Sequence, residues 1–137
     1  MSCKSNIYVA TTASSSVVAN ATLPLSTTVR RRGSDINLSG NSVAITDCGS
    51  NYYLVSVTAT FTAPVAGVIT LNLQQNGTNV TGATASTTIT TATTEVRSLS
   101  FTAIVRTFNN QGIDSLSVLN AGVAATFSNV ALVVEKL

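Results

Sequence analysis

The segment Asn51-Tyr-Tyr-Leu-Val-Ser-Val-Thr-Ala-Thr-Phe61 decides the fold class of this chain. From Tyr53 onward every second residue is apolar, and the residues between them are mostly serine and threonine. Side chains alternate between the two faces of a β-strand, so this period of two predicts a strand with one buried face. The stretch Pro64-Val-Ala-Gly67 then breaks the alternation, as a turn does. A half-buried strand followed by a tight connection is therefore expected here.

The same alternation recurs along the chain on both sides of this segment. Ile69, Leu71 and Leu73 form the next apolar face, and the Asn76-Gly77 pair that follows is a strong hairpin signal because both residues tolerate positive φ. Further strands are expected at residues 17–23, 27–30, 35–38, 43–46, 80–91, 96–108, 115–119 and 123–135. About eight to ten antiparallel strands at this spacing predict an all-β fold, a two-sheet jelly-roll sandwich.

The apolar positions of these strands predict the hydrophobic core. The length of 137 residues suits one domain with a core of useful size. The expected core residues are Tyr53, Val55, Val57, Phe61, Ile69, Leu71, Leu73, Leu99, Phe101, Val105 and Phe127.

Charge is unusually sparse in this chain. Only 9% of the residues are charged, against about 25% in a typical soluble domain, and the net charge is +2. Apolar residues also occupy positions that alternation assigns to the outward faces, namely Val68, Ile104, Val130, Leu132 and Val134. A monomer normally protects its surface and its sheet edges with charge. Self-association that buries a second face is the favoured interpretation, and a thin monomeric sandwich is the alternative.

The chain lacks the residues that most catalytic and metal sites require. It contains no histidine, which excludes Ser-His-Asp and Cys-His catalysis and histidine metal sites. The five carboxylates are dispersed along the sequence: Asp35, Asp47, Glu95, Asp114 and Glu135. A glycosidase pair or a calcium site built from Asp35, Asp47 or Asp114 would need distant strands to meet, and solvated turn residues are the simpler interpretation. No enzyme activity and no cofactor are expected.

The two cysteines, Cys3 and Cys48, are too few for a disulfide framework, and whether they are bonded stays open. The polar start Met1-Ser-Cys-Lys-Ser-Asn6 does not fit a secretory signal, so synthesis in the host cytoplasm and release by lysis or assembly are expected. No apolar run is long enough to span a membrane. Glycosylation sequons such as Asn76-Gly-Thr78 are attributed to chance in a chain rich in Asn and Thr.

The run Arg30-Arg31-Arg32 is the one cluster of charge in the sequence. In a strand Arg31 points away from Arg30 and Arg32, so the three do not form one patch. Three interpretations stay open: a solvated strand end, docking onto an acidic partner surface, and pairing between subunits with Asp35 or Glu135. Nucleic-acid binding is not expected, because it favours a wider basic stripe with interleaved aromatics.

The first fifteen residues are expected to form a flexible arm, with the jelly-roll domain at residues 16–137. Residues 1–15 have little apolar content, so they are not expected to order themselves within one subunit. The triplet Ile7-Tyr8-Val9 is prone to β structure and suits addition of a strand to a partner's sheet edge. These three residues and Arg30–Arg32 are therefore the candidate docking residues.

Two stretches resemble the trimeric complement/tumour-necrosis-factor jelly-roll family. These are Asn51–Phe61, with its Tyr-Leu-Val-Ser run, and Ile69–Val80, which ends in Leu-Gln-Gln-Asn-Gly-Thr-Asn-Val. The final strand, Ala125–Glu135, is hydrophobic and close to the C-terminus, as in that family. Residues 23–33 and 130–137 are similar to small proteins of phages and prophages of gut Firmicutes. The resemblance covers about residues 16–137 and implies a homotrimer packed around a threefold axis.

The resemblance implies a non-enzymatic structural virion protein of a bacteriophage, located on the virion, that decorates the capsid or heads a short fibre. Its partners would be itself and the major capsid protein or another virion protein. The alternative is a receptor- or glycan-binding adhesin module on a phage tail, spore or cell surface. The chain has no Trp, and Tyr52-Tyr53 is its one aromatic pair, so the aromatic cluster that suits a sugar site is missing. The structural role is favoured, and a glycan ligand stays open.

Overall fold

The computed structural model describes residues 4–46, 50–107 and 113–137, and within these ranges the regular structure consists of twelve β-strands. Cys3, Asp47, Cys48 and the end of the strand expected at 96–108 lie outside the described residues. The strands are β1 (Asn6–Thr11), β2 (Ser15–Val17), β3 (Ala21–Thr22), β4 (Thr27–Arg32), β5 (Ile36–Ser39), β6 (Ser42–Ile45), β7 (Tyr52–Thr62), β8 (Gly67–Gln75), β9 (Thr78–Ile89), β10 (Arg97–Arg106), β11 (Asp114–Asn120) and β12 (Ala125–Lys136).

The strands form two antiparallel sheets that face each other. Sheet I has the order β10-β7-β12-β1-β4, with β2 beside the start of β12. Sheet II has the order β5-β6-β11-β8-β9, with β3 beside the end of β11. Most neighbours within a sheet are not consecutive in the chain, because the chain crosses repeatedly from one sheet to the other. The predicted all-β, two-sheet jelly-roll sandwich is confirmed.

The core fills the space between the sheets. Phe61 and Phe127 pack at its centre with ring centroids 5.2 Å apart and planes inclined by 52°. Nine of the expected core residues are buried, namely Tyr53, Val55, Val57, Phe61, Ile69, Leu71, Leu73, Val105 and Phe127. Leu99 and Phe101 are only half-buried and pack against the margin of the core. Both lie on β10, an edge strand with a neighbour on one side only, so their burial was overestimated.

The facing of β12 differs from strict alternation. Val130, Leu132 and Val134 are at most 1% exposed, although alternation from Phe127 assigned them to the outward face. The register of β12 with β7 shifts between Phe127 and Asn129, so Ser128 is an extra residue in the strand. This β-bulge reverses the facing of all later residues. These three side chains therefore belong to the core and are no argument for a second buried face.

The N-terminal segment also differs from its expected placement. Residues 6–11 form β1, which pairs with β12 on one side and with β4 on the other. Ile7 and Val9 are buried in the core of their own subunit. The expectation of an arm over residues 1–15 is corrected for this stretch. The expectation considered residues 1–15 as a whole, whereas the apolar run Ile7–Ala10 within them pairs with a strand near the other end of the sequence.

Candidate interaction surfaces

The outward face of sheet I combines apolar and hydroxyl side chains. Across the middle of the sheet, Tyr8 of β1 lies opposite Val133 of β12, which lies opposite Ser56 of β7. The neighbouring row joins Ala10, Ala131 and Thr58 in the same way. On the edge strand β10, Ile104 is 58% exposed and lies opposite Leu54 of β7. Four strands thus contribute aliphatic or aromatic groups to one face.

The polar groups of this face are mostly hydroxyls arranged in pairs between β7 and β10. Thr60 and Ser98 share a hydrogen bond with an oxygen–oxygen distance of 3.0 Å. Thr58 lies opposite Ser100, and Ser56 lies opposite Thr102. Moving a hydroxyl group out of water costs less free energy than moving a charged group, because the charged group loses the solvation of a full charge. The centre of the outward face is therefore suited to burial against another surface.

Charges on this face lie at its margins and at one end. Arg30 and Arg32 project from the edge strand β4, beside Tyr8 and Asn6 of β1. Arg106 lies at the end of the opposite edge strand, β10. Glu135, near the end of β12, is the acidic residue of this face within the described ranges, and it lies between Asn6 and Leu54.

The outward face of sheet II is more uniformly polar. Thr70 and Ser86 share a hydrogen bond of 2.8 Å between β8 and β9. The Gln74 side-chain amide donates to the Asn79 side chain at 3.0 Å on the same pair of strands. Val68, which is 49% exposed, is the aliphatic residue of β8 on this side. Of the two sheets, sheet I presents the face with more apolar groups.

The three consecutive arginines are divided between the two sides of β4. Arg30 pairs in register with Tyr8 and Arg32 with Asn6, whereas Arg31 pairs with the buried Ile7. The Arg31 guanidinium turns to the side chain of Asn37, to which it donates a hydrogen bond. The predicted opposition of Arg31 to its two neighbours agrees with this arrangement. Arg30 and Arg32 form an exposed basic edge together with the aromatic ring of Tyr8.

The candidate triplet Ile7-Tyr8-Val9 does not present a free strand edge. Its backbone pairs with β12 and β4, so addition to a partner's sheet through this segment is not available. Tyr8 alone points outward, with 38% of its surface exposed. The structure therefore brings Tyr8 together with Arg30 and Arg32 and separates it from Ile7 and Val9.

The two ends of the described chain meet at one corner of sheet I. The Lys136 backbone N–H donates to the Ser5 carbonyl oxygen at 2.9 Å, and Lys136 pairs in register with the buried Tyr53, so it lies on the inward side of sheet I. Asp35 lies at the same corner and accepts a hydrogen bond from the Ser5 hydroxyl. The sequence offered no signal for this contact, because Ser5 and Lys136 are separated by almost the whole chain.

The loop between β9 and β10 is organised by one carboxylate. Glu95 accepts hydrogen bonds from the backbone amides of Thr90 and Thr91 at 3.0 and 2.9 Å, and from the Thr90 hydroxyl at 2.9 Å. Arg97 forms a salt bridge with it at 2.6 Å. The Thr91 amide contributes most, followed by Arg97 and Thr90, and together they lower the pKa of Glu95 from 4.5 to about 2. This carboxylate stabilises a loop.

Within residues 4–46, 50–107 and 113–137, there is no group of three or more His, Cys, Asp or Glu side chains that could hold a metal ion. The same part of the chain has no helix of the length and hydropathy that a membrane span requires. Asp35, Glu95 and Asp114 each accept hydrogen bonds from nearby protein donors. These three carboxylates thus act as hydrogen-bond acceptors at turns, loops and strand ends.

Comparison with known proteins gives a likeness of fold and no likeness of sequence family. No protein-family model matches this chain, and no curated protein matches it in sequence. Murine APRIL at pH 5.0 superimposes with a TM-score of 0.70 at 18% identity, over 98% of this chain and 100% of that chain. The globular domain of the zebrafish complement 1qA protein gives a TM-score of 0.62 at 11% identity, over 96% of this chain and 95% of that one.

A third solved structure is the vertex protein P5 of PRD1. It superimposes with a TM-score of 0.56 at 12% identity, over 99% of this chain and 98% of that chain. At these identities the three likenesses establish the fold alone. The jelly roll expected from the resemblance to the complement/tumour-necrosis-factor family is therefore confirmed as a fold.

Proposed function

We propose that this chain is a non-enzymatic structural protein of a bacteriophage virion, which assembles into a homotrimer through the outward face of sheet I. The observation that carries the proposal is the composition of that face. Tyr8, Leu54, Ile104, Ala131 and Val133 place apolar groups on four neighbouring strands. Exposed apolar surface that continues across several strands marks an interaction site in a soluble protein.

Self-association through sheet I would bury apolar surface at a small cost in polar desolvation. Burying apolar surface stabilises a complex by about 25 cal/mol per Å². Between the apolar side chains of sheet I stand serines and threonines, some of which already bond to each other, as Thr60 does with Ser98. The polar cost of covering this face is therefore small. A second copy of the chain is the proposed occupant, and three copies would have a mass of about 42 kDa, three times 14.0 kDa.

The virion location is supported by the fold of a known particle protein. The vertex protein P5 of the phage PRD1 has the same fold over nearly the full length of both chains. Capsid decoration and the head of a short fibre are two placements within this proposal. On the particle, we propose that Arg30 and Arg32, on the edge strand β4, contact an acidic surface of the major capsid protein or of another virion protein.

Native mass spectrometry at micromolar concentration tests the assembly. We expect the unmodified chain to be trimeric, and Val133→Glu to be monomeric because it places a charge at the centre of the proposed interface. Thr70→Glu is the matched control, since it adds the same charge to an outward position of sheet II. A monomeric unmodified chain, or equal effects of the two substitutions, would contradict self-association through sheet I.

Mass spectrometry of purified particles tests the location. Particles released from the host that encodes the chain are separated on a density gradient, and their peptides are compared with those of the soluble fraction. We expect this chain to sediment with the capsid protein at a constant ratio. Its recovery in the soluble fraction alone would contradict the virion role and leave the self-association result intact.

A further inference from the structure

The turn between β8 and β9 contains the one Asn–Gly pair of the sequence, Asn76-Gly77. Both residues are exposed and left-handed, with φ of 55° and 81°. Around Gly77 the space is open, since no atom lies within 4 Å of the position that a Cβ would occupy there. Because glycine has no side chain, nothing within the residue shields the backbone nitrogen of Gly77 from reaction. Such a pair is the setting in which asparagine side chains deamidate.

The reaction needs only water and mild base. The Gly77 backbone nitrogen, losing its proton to base, attacks Cγ of Asn76, and a new N–C bond closes a five-membered succinimide. The side-chain nitrogen of Asn76 leaves as ammonia after taking up a proton from solvent. Water then opens the ring at either carbonyl, which yields an aspartate or an isoaspartate. The net change replaces an NH2 group by OH, and the new group is an anion at neutral pH.

In the native structure the Asn76 side chain is hydrogen-bonded to β11. Its Nδ2 donates to Oδ1 of Asp114 at 2.9 Å, and its Oδ1 accepts from the backbone N–H of Ser115 at 2.8 Å. The backbone N–H of Asn76 also donates to the Ser115 carbonyl oxygen at 2.8 Å. Because both ends of the carboxamide bind β11, closing a ring onto Gly77 requires it to leave these partners.

Asp114 is the centre of this arrangement. It is only 2% exposed, and a second amide donor, Gln75 Nε2, lies 3.3 Å from the same Oδ1 atom. That Gln75 nitrogen also donates to the Arg106 carbonyl oxygen at 2.7 Å. The turn thus supplies N–H donors to a buried carboxylate. A buried charge that loses its donors is strongly unfavourable.

We propose that Asn76 is a site of spontaneous deamidation which its contacts with Asp114 and Ser115 hold inactive, and whose reaction irreversibly releases the β8–β9 turn from β11. The product carries an anion where Nδ2 now donates to Asp114. Two carboxylates at hydrogen-bond distance repel each other, and Asp114 loses a donor. The modified turn therefore separates from β11. The proposal is independent of the virion role.

Peptide mapping during incubation in mildly alkaline buffer measures how much the contacts with Asp114 and Ser115 slow the deamidation of Asn76. We expect Asn76 in the folded chain to react at least about tenfold more slowly than in a free peptide of residues 71–81, the factor typical of losing a hydrogen bond to a charged group. Asp114→Ala should raise the rate toward that of the peptide, and the contacts with Ser115 should retain part of the restraint. Asp35→Ala is the matched control, because it removes a carboxylate that binds Ser5 at another corner of the molecule.

A second measurement does not depend on the folding of the Asp114 variant. Asn76→Asp imitates one product and should lower the melting temperature at neutral pH. Asn79→Asp adds the same charge on the same hairpin, where its oxygen still accepts from Gln74, and should leave the melting temperature nearly unchanged. Equal rates in the folded chain and the peptide, no acceleration in Asp114→Ala, or equal melting temperatures of the two Asp variants would each overturn the proposal.

Discussion

Phe127 and Val130 both face the core of the sandwich, although three positions separate them along β12. The extra residue between them is Ser128, which the register with β7 skips, and its hydroxyl donates to the Thr60 carbonyl oxygen at 3.3 Å. The bulge turns Leu132 inward and Ala131 and Val133 outward. The inserted residue therefore decides which side chains of β12 face the proposed interface, namely Ala131 and Val133 instead of Val130, Leu132 and Val134.

Deleting Ser128 should be tolerated far better than deleting Ala131, only three residues away. Without Ser128 the strand alternates regularly and keeps Val130 and Leu132 inward. Without Ala131 the facing reverses, and Leu132 and Val134 are exposed at a cost of about 1.5–3 kcal/mol each. Urea denaturation followed by circular dichroism compares the two deletions. Equal losses of stability would show that the bulge does not set the facing.

Phe127→Ala should destabilise the fold by about 3–5 kcal/mol, as large-to-small changes in a packed core do. The ring is 1% exposed and packs on Phe61. Phe101→Ala is the comparison, and it should cost clearly less because that ring is half-buried on the edge strand β10. Both free energies of unfolding come from denaturant titration of otherwise identical chains. A larger loss of stability for Phe101→Ala than for Phe127→Ala would show that the centre of the core does not lie at Phe127.

Glu95 should make stability depend on pH in the acid range. Its pKa in the folded chain, about 2, lies below the ordinary 4.5, mainly because the Thr91 amide donates to the carboxylate. A depressed pKa stabilises the fold fully above pH 4.5, and this contribution is lost as the pH falls toward 2. Glu95→Gln should therefore melt below the unmodified chain at neutral pH, and the gap should close toward pH 2. A gap that stays constant in thermal melts across this range would contradict the assignment.

Combined Arg30→Ala and Arg32→Ala substitutions should weaken binding to particles and reduce its dependence on salt. Both residues project from the outward side of β4 beside Tyr8 and Asn6, and charge contacts at an exposed edge are screened by salt. Arg31→Ala is the control, since that side chain binds Asn37. Occupancy on purified particles is measured by quantitative mass spectrometry at low and moderate ionic strength. Equal occupancy of the two variants would exclude the basic edge as the docking surface.

The sequence by itself determined the fold class and most of the core. Period-two alternation from Tyr53 to Phe61 requires only local information, because strand geometry sends successive side chains to opposite faces. The Asn76-Gly77 turn is equally local, since its left-handed φ angles follow from the two residue types. Sparse charge likewise predicts self-association from composition alone, and this stays a prediction.

Only the tertiary structure decided where the ends of the chain lie and which face is exposed. Residues 6–11 become an inner strand because β12 and β4 supply partners on both sides, and neither partner is a neighbour of this segment in the sequence. The two ends of the chain meet through the same long-range pairing, in which the Lys136 N–H donates to the Ser5 carbonyl oxygen. The bulge at Ser128 depends on the register with β7, which local alternation does not contain. These features arise from pairing between distant segments. The residues of one strand do not specify its register with the strand that it pairs with.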